Sequence, residues 1–147
     1  MSKCIVPGTF DPMHRGHLNV VERASRLFDE VVVAVAASKE KKPTNPLEDR
    51  VELAKDLCKK FTNVTVKPFD CLLVDFVKKE GAKCVVKGLR NCKDFEHELS
   101  MAAFNKKLSN DFETIFLMSD PQNINISSTL IRELESFGVN VDKINDN

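Results

Sequence analysis

Tryptophan and tyrosine are both absent from this sequence. Their absence removes the usual platforms on which single-stranded bases stack and leaves only ten phenylalanines for that task. Charge of one sign is missing as well. The 22 lysines and arginines balance 22 aspartates and glutamates, so no summed field draws the chain to nucleic acid or to a membrane surface. Hydrophobic runs such as Val31 to Ala37 fall far short of the roughly 20 residues needed to span a bilayer. The opening Met-Ser-Lys-Cys-Ile-Val lacks the three-part pattern of a secretory signal, and a cytoplasmic protein is expected. Cys4, Cys58, Cys71, Cys84 and Cys92 form an odd, widely spaced set without a C-x-x-C pair, which suggests neither a disulfide framework nor a zinc site. They read as small buried hydrophobes in a reducing compartment.

What is present is a regular alternation. With 147 residues the chain fits one domain, 1–147. Lys3 to Val6 is a short apolar run ended by Pro-Gly, a strand entering a turn, and Val21, Ala24, Leu27 and Phe28 then recur at helical spacing from Leu18 onward. Val31 to Ala37 is uniformly apolar, as expected of a strand covered on both faces. After the polar loop Ser38 to Asn45, Pro46 stands at an expected first helical position with Glu48 completing a capping box, and Leu47, Val51, Ala54, Cys58 and Phe61 mark the buried face. Val64 to Val66 follows as strand, then a helix capped by Asp70 and stopped by Gly81, then Cys84 to Val86 as strand, with Gly88 opening a loop. Phe95, Leu99, Ala102, Ala103 and Leu108 mark a helix, Thr114 to Met118 a last strand, and Ser127 or Ser128 caps a helix ending near Gly138. This pattern predicts an α/β fold: a Rossmann-like, doubly wound, five-stranded parallel sheet with helices on both faces.

In such a sheet ligands bind beyond the carboxyl ends of the strands. The unusual polar clusters all fall there: Gly8 to His17, Ser38 to Lys42, Phe69 to Leu73, Lys87 to Arg90 and Ser119 to Thr129. In the first, Gly8 allows a tight turn and close ligand approach, and Gly16 opens a helix whose free N–H groups favour anions. His14 and His17 stand beside that anion site, able to donate to phosphoryl oxygens whether neutral or protonated. As metal ligands they lack a nearby third partner, so no metal site is expected. Lys41 and Lys42 can reach a phosphate from the loop after the second strand, and Lys87 and Arg90 flank Gly88 as a further anion-binding hint. Ser127, Ser128 and Thr129 can be an N-cap and an anion nest at once. His97 reads as a surface residue.

Two of these stretches carry a family resemblance. Gly8-Thr-Phe-Asp-Pro-Met-His-Arg-Gly-His17 and Ile126-Ser-Ser-Thr-Leu-Ile-Arg132 resemble the two signatures of the nucleotidyltransferase superfamily. Within it, Lys41-Lys42-Pro43, Lys87-Gly88-Leu89-Arg90, Asp94-Phe95-Glu96-x-Glu98 and Asn105-Lys106-x-Leu108 are similar to the phosphopantetheine adenylyltransferase family over nearly the whole chain. The resemblance implies ATP, with Mg2+, and 4′-phosphopantetheine as substrates, dephospho-coenzyme A and pyrophosphate as products, and a homo-oligomer, in that family a hexamer.

Residue by residue, the resemblance implies ATP binding by Thr9, Phe10, His14, His17, Gly88, Leu89, Arg90, Glu98, Asn123, Ile124, Asn125, Ile126, Ser127, Ser128 and Thr129. It implies acceptor binding by Thr9, Lys41, Leu73, Lys87 and Asn105, with His17, Thr9, Lys41 and Arg90 catalytic. Lys87 departs from the family's common arginine, keeping the charge without the bidentate fork. Two other readings stand beside this one. A nicotinamide mononucleotide adenylyltransferase shares both signatures, and His14 suits it. A catalytically weak, regulatory nucleotide-binding protein would keep the fold alone.

Overall fold

The computed structural model describes residues 1–90, 92–118 and 128–140. Within them strands and helices alternate as β1 (Lys3–Gly8), α1 (Arg15–Leu27), β2 (Glu30–Ala36), α2 (Leu47–Cys58), β3 (Val64–Phe69), α3 (Leu73–Glu80), β4 (Cys84–Leu89), α4 (Cys92–Leu108), β5 (Glu113–Met118) and α5 (Ser128–Ser136). All strand pairs are parallel, in the order β3-β2-β1-β4-β5. The expected α/β architecture with helices on both faces is the one found.

The pleat divides the core. Cys4, Val6, Val31, Val33, Val35 and Val86 project to one face, where Val20, Val21 and Ala24 of α1 and Val51, Ala54 and Cys58 of α2 cover them. Ile5, Val32, Ala34 and Val85 project to the other, against Val74, Phe76 and Val77 of α3. Phe95 of α4 meets Phe116 of β5 edge to face, with ring centroids 5.8 Å apart. Apolar residues therefore fill both sides of β2, which explains why its sequence shows no alternation.

The site is prepared by the way β1 pairs. It runs beside β2 through all six of its residues, but beside β4 only at Cys4↔Cys84 and Ile5↔Val85. Past Ile5, β1 and β4 part, and the strand order reverses at this place. Such a crevice is the ligand-binding position of a doubly wound sheet.

Several local expectations are corrected by the tertiary fold. β1 continues through Pro7 and Gly8, β3 through Phe69, and β4 through Gly88 and Leu89, because each punctuating residue still pairs with a neighbour strand. Pro68 is tolerated because β3 is an edge strand. Pro46 is the N-cap of α2, not its first helical residue, and no side chain closes a capping box there. Leu72, not Asp70, precedes α3; Asp70 instead pairs with Lys39 at 3.1 Å. Gly81 does end α3, in the left-handed region at φ 67°.

The largest departure is α4. Phe95, Leu99 and Leu108, whose spacing marked the helix, are between 42% and 50% exposed, and Phe104 is 57% exposed. Its apolar residues run round the helix, so a single sheet face cannot cover them. Among the cysteines, Cys4 and Cys58 are buried and Cys84 is partly so, but Cys71 is exposed. Burial pushes the thiol of Cys4 up to about 12 and that of Cys58 up to about 11, which leaves both inert.

Candidate active site

The loop from β1 to α1 is built around the ring of Phe10. This residue lies in the left-handed region at φ 50° and is only 4% exposed. Its ring folds under the end of β1, where a Cβ on Gly8 would come 2.8 Å from Phe10 Cζ. Gly8 therefore makes room for a protein ring, whereas the sequence reading reserved that space for a ligand. Gly16 does the same for His14, whose Cε1 would lie 3.0 Å from an added Cβ. On its other side Phe10 meets His17 edge to face, with centroids 5.0 Å apart at 87°.

The two histidines form a capping box. His14 is the N-cap of α1 and its Nδ1 accepts the Gly16 N–H at 3.1 Å, while Nδ1 of His17 accepts the His14 N–H at 3.1 Å. Their rings stack, with centroids 3.7 Å apart and planes 24° from parallel. With Nδ1 accepting in both rings, each neutral imidazole carries its proton on Nε2 and donates there. The pattern is S-x-x-E with histidine at both places, which explains the three-residue spacing by helix capping alone.

Electrostatics settles the charge of His17. Burial, then His14, then Arg90 lower its pKa from 6.5 to about 4. At neutral pH it is an uncharged donor. β4 lies next to β1 in the sheet, so its carboxyl end, followed by Arg90, is on the same side as the start of α1.

A second arm enters from β2. Thr9 Oγ1 and Ser38 Oγ share a hydrogen bond of 3.0 Å. Lys39–Lys41 form a short 3-10 turn in which Lys41 is exposed, with no ion pair to any described residue. The segment is tied down by Asp11, whose carboxylate accepts the backbone N–H of Thr44 at 2.7 Å and of Asn45 at 2.9 Å, and the Asn45 amide at 2.8 Å. These bonds, that from Thr44 foremost, hold the Asp11 carboxyl below its ordinary range.

The third arm is β4. Gly88 and Leu89 end the strand, and Arg90 projects largely exposed, with Nε 3.2 Å from Asp94 of α4. Lys87 and Glu98, assigned to the acceptor and to ATP respectively, are bonded to each other at 2.5 Å. Asn105, two turns beyond Glu98, is 6% exposed. Leu73 begins α3 and, like Phe69, is partly buried against the second core cluster. His97 is exposed, as expected.

The structure therefore gathers Thr9, Phe10, His14, His17, Lys41, Gly88, Leu89 and Arg90 at the carboxyl ends of β1, β2 and β4. Thr9 is half-buried there, and Thr129, in the first turn of α5, is exposed, its Oγ1 3.5 Å from Arg132. Asn123, Ile124, Asn125, Ile126 and Ser127 lie outside the described residues, and Ser128 is described only as the start of α5. Sequence reasoning missed Arg50 of α2, which is 3% exposed beneath this rim. Its place between the apolar positions Leu47, Val51 and Ala54 was the available signal.

A cytidylyltransferase-like family model matches residues 5–134, which contain all three arms. The chain belongs to the cytidylyltransferase-like family. Among curated relatives of this cytidylyltransferase-like chain, it is 48% identical over 143 residues to a phosphopantetheine adenylyltransferase of Nitrosospira multiformis, covering 97% of this chain and 87% of that one. It is 46% identical over 138 residues to the phosphopantetheine adenylyltransferase of Symbiobacterium thermophilum, covering 94% and 85%. In fold it is similar to a lipopolysaccharide core biosynthesis protein from Thermoplasma volcanium, with a TM-score of 0.60, 21% identity, and coverage of 84% of this chain and 99% of that one.

Proposed function

We propose that this chain transfers the adenylyl group of ATP to 4′-phosphopantetheine, giving dephospho-coenzyme A and pyrophosphate. What carries the reading is the switch point of the sheet, where β1, leading to His17, and β4, leading to Arg90, part, in a chain whose curated relatives of similar length bear that enzyme's name.

The nucleophile is a phosphate, already ionised, so the reaction needs neither a strong general base nor a covalent intermediate. It needs two polyanions aligned and their charge absorbed. In this reading Thr9 and Lys41 hold the acceptor phosphate. The neutral Nε2–H donor of His17 meets charge growing on the α-phosphate, His14 donates beside it, and Arg90 with the start of α5 takes the departing pyrophosphate. Mg2+ arrives with ATP as part of the substrate. Lys87 is held by Glu98 until an acceptor phosphate competes for it.

The test is incubation with MgATP and one acceptor at a time, with pyrophosphate as the readout. Release with 4′-phosphopantetheine and none with nicotinamide mononucleotide is the expected result. Release only with the mononucleotide, or tight ATP binding without release for either acceptor, defeats the reading.

We also propose a cytoplasmic homo-oligomer. The half-exposed Phe95, Leu99, Met101, Phe104 and Leu108 of α4 favour association, since so many large apolar side chains on one helix are costly in water. Sedimentation velocity of wild type and Phe104→Glu tests this: a multimer that the variant dissociates is expected, and a wild-type monomer at micromolar concentration refutes it.

A further inference from the structure

Arg50 is a buried cation that spends its hydrogen bonds on backbone. Its Nε donates to the Asn45 carbonyl at 3.0 Å, Nη1 to the carbonyls of Thr9 at 2.8 Å and Ala36 at 2.6 Å, and Nη2 to that of Ala37 at 3.1 Å. No described carboxylate lies within ion-pairing distance of it. Burying a guanidinium without a direct counter-ion is expensive, and ordinary core packing gives no reason for it.

The four carbonyls share one property. They belong to the loop that follows β1 and to the two ends of the segment from β2 to α2, which are the pieces that carry Thr9 and Lys41. Asp11 grips the same segment through its donors, from Thr44 and Asn45. Between the two grips, Ser38 and Lys42 stand in the left-handed region at φ 51° and 47°. Such a conformation in non-glycine residues persists only where the surroundings over-determine it.

We propose that Arg50 is a positioning residue, which together with Asp11 latches the segment 38–45 onto the β1–α1 loop and so fixes Thr9 and Lys41 at the spacing that the acceptor phosphate requires. The proposal rests on the adenylyltransfer reading for its substrate. The latch itself stands on the hydrogen bonds.

Two variants test it. Arg50→Lys keeps the charge but cannot reach four carbonyls with one ammonium, and Asp11→Asn is a change of nearly equal size at a loop residue outside both core clusters. Both should raise KM for 4′-phosphopantetheine, Arg50→Lys by about tenfold or more, while KM for ATP stays within about twofold. Amide hydrogen exchange of residues 38–46 should quicken in both variants, with that of α3 unchanged. A residue that served stability alone would move both KM values together or neither, and either outcome overturns the proposal. So does unchanged exchange in the segment. A wild-type protein that releases no pyrophosphate with this acceptor defeats the function reading, and the exchange measurement still decides whether the latch exists.

Discussion

Lys87 Nζ lies 2.5 Å from Glu98 Oε2, joining β4 to α4 with both side chains less than a quarter exposed. An ion pair this sheltered is costly to break from one side, because the survivor keeps its charge in a poor solvent. Lys87→Ala should therefore destabilise the fold by about 1 kcal/mol, with much of that recovered in the Lys87→Ala, Glu98→Ala double variant. It should also raise KM for the acceptor. Urea denaturation of the four proteins of the cycle measures the coupling, and simple additivity would show that the pair is inert.

His17→Ala removes the Nε2–H donor and one half of the capping box. We expect kcat to fall about 10²- to 10³-fold, the effect of losing one oxyanion donor. Stability should fall by only about 1 kcal/mol, as for a lost N-cap, which shifts the melting temperature by about 2–4 °C in a chain of this size. Steady-state kinetics and a thermal melt check both; unaltered kcat would remove His17 from the mechanism.

The pH dependence follows from the lowered pKa of His17, about 4 against 6.5. A neutral ring is favoured by the fold, so the unfolded chain takes up a proton at higher pH than the native protein does. The contribution to stability is complete above 6.5 and is lost as pH falls through 4. The contribution of His17 to activity should stay level from pH 8 to about 5 and drop below that, as protonation of Nδ1 ejects the His14 N–H. NMR titration of the ring and denaturation at several pH values test this. A midpoint near 6.5 for His17 would contradict it.

Gly8→Ala tests the packing of the loop. The new methyl would lie 2.8 Å from Cζ and 3.0 Å from Cε1 of Phe10, a buried ring that in turn abuts His17. Displacing it should cost about 1–3 kcal/mol, typical of overpacking, and should lower kcat through His17. Equilibrium unfolding and kinetics report the two effects separately. Full stability in the variant would mean that Phe10 is free to move.

The sequence by itself determined the alternation of strands and helices, the doubly wound sheet, and the rim where the polar clusters that follow β1, β2 and β4 lie. Burial acts on side-chain spacing, and spacing is local: the apolar run from Val31 to Ala36 reads as a covered strand, and Val51, Ala54 and Cys58 as one face of α2. Gly81 stops α3 because its own backbone allows it. The two signatures around His17 and Ser128 were legible for the same reason, each being a short contiguous stretch. Only the tertiary structure decided what depends on meetings between distant segments. The place of Arg50 beside Leu47, Val51 and Ala54 points to its burial, but its partners are four carbonyls that three separate pieces of chain bring to it. Lys87 and Glu98 neutralise each other because a strand end meets a helix flank, and α4 stays half uncovered because the sheet offers it only one face. Gly8 owes its necessity to a ring two residues away that folds back beneath it. Energies of this kind belong to pairs of surfaces, and a pattern along one chain records only one side of each pair.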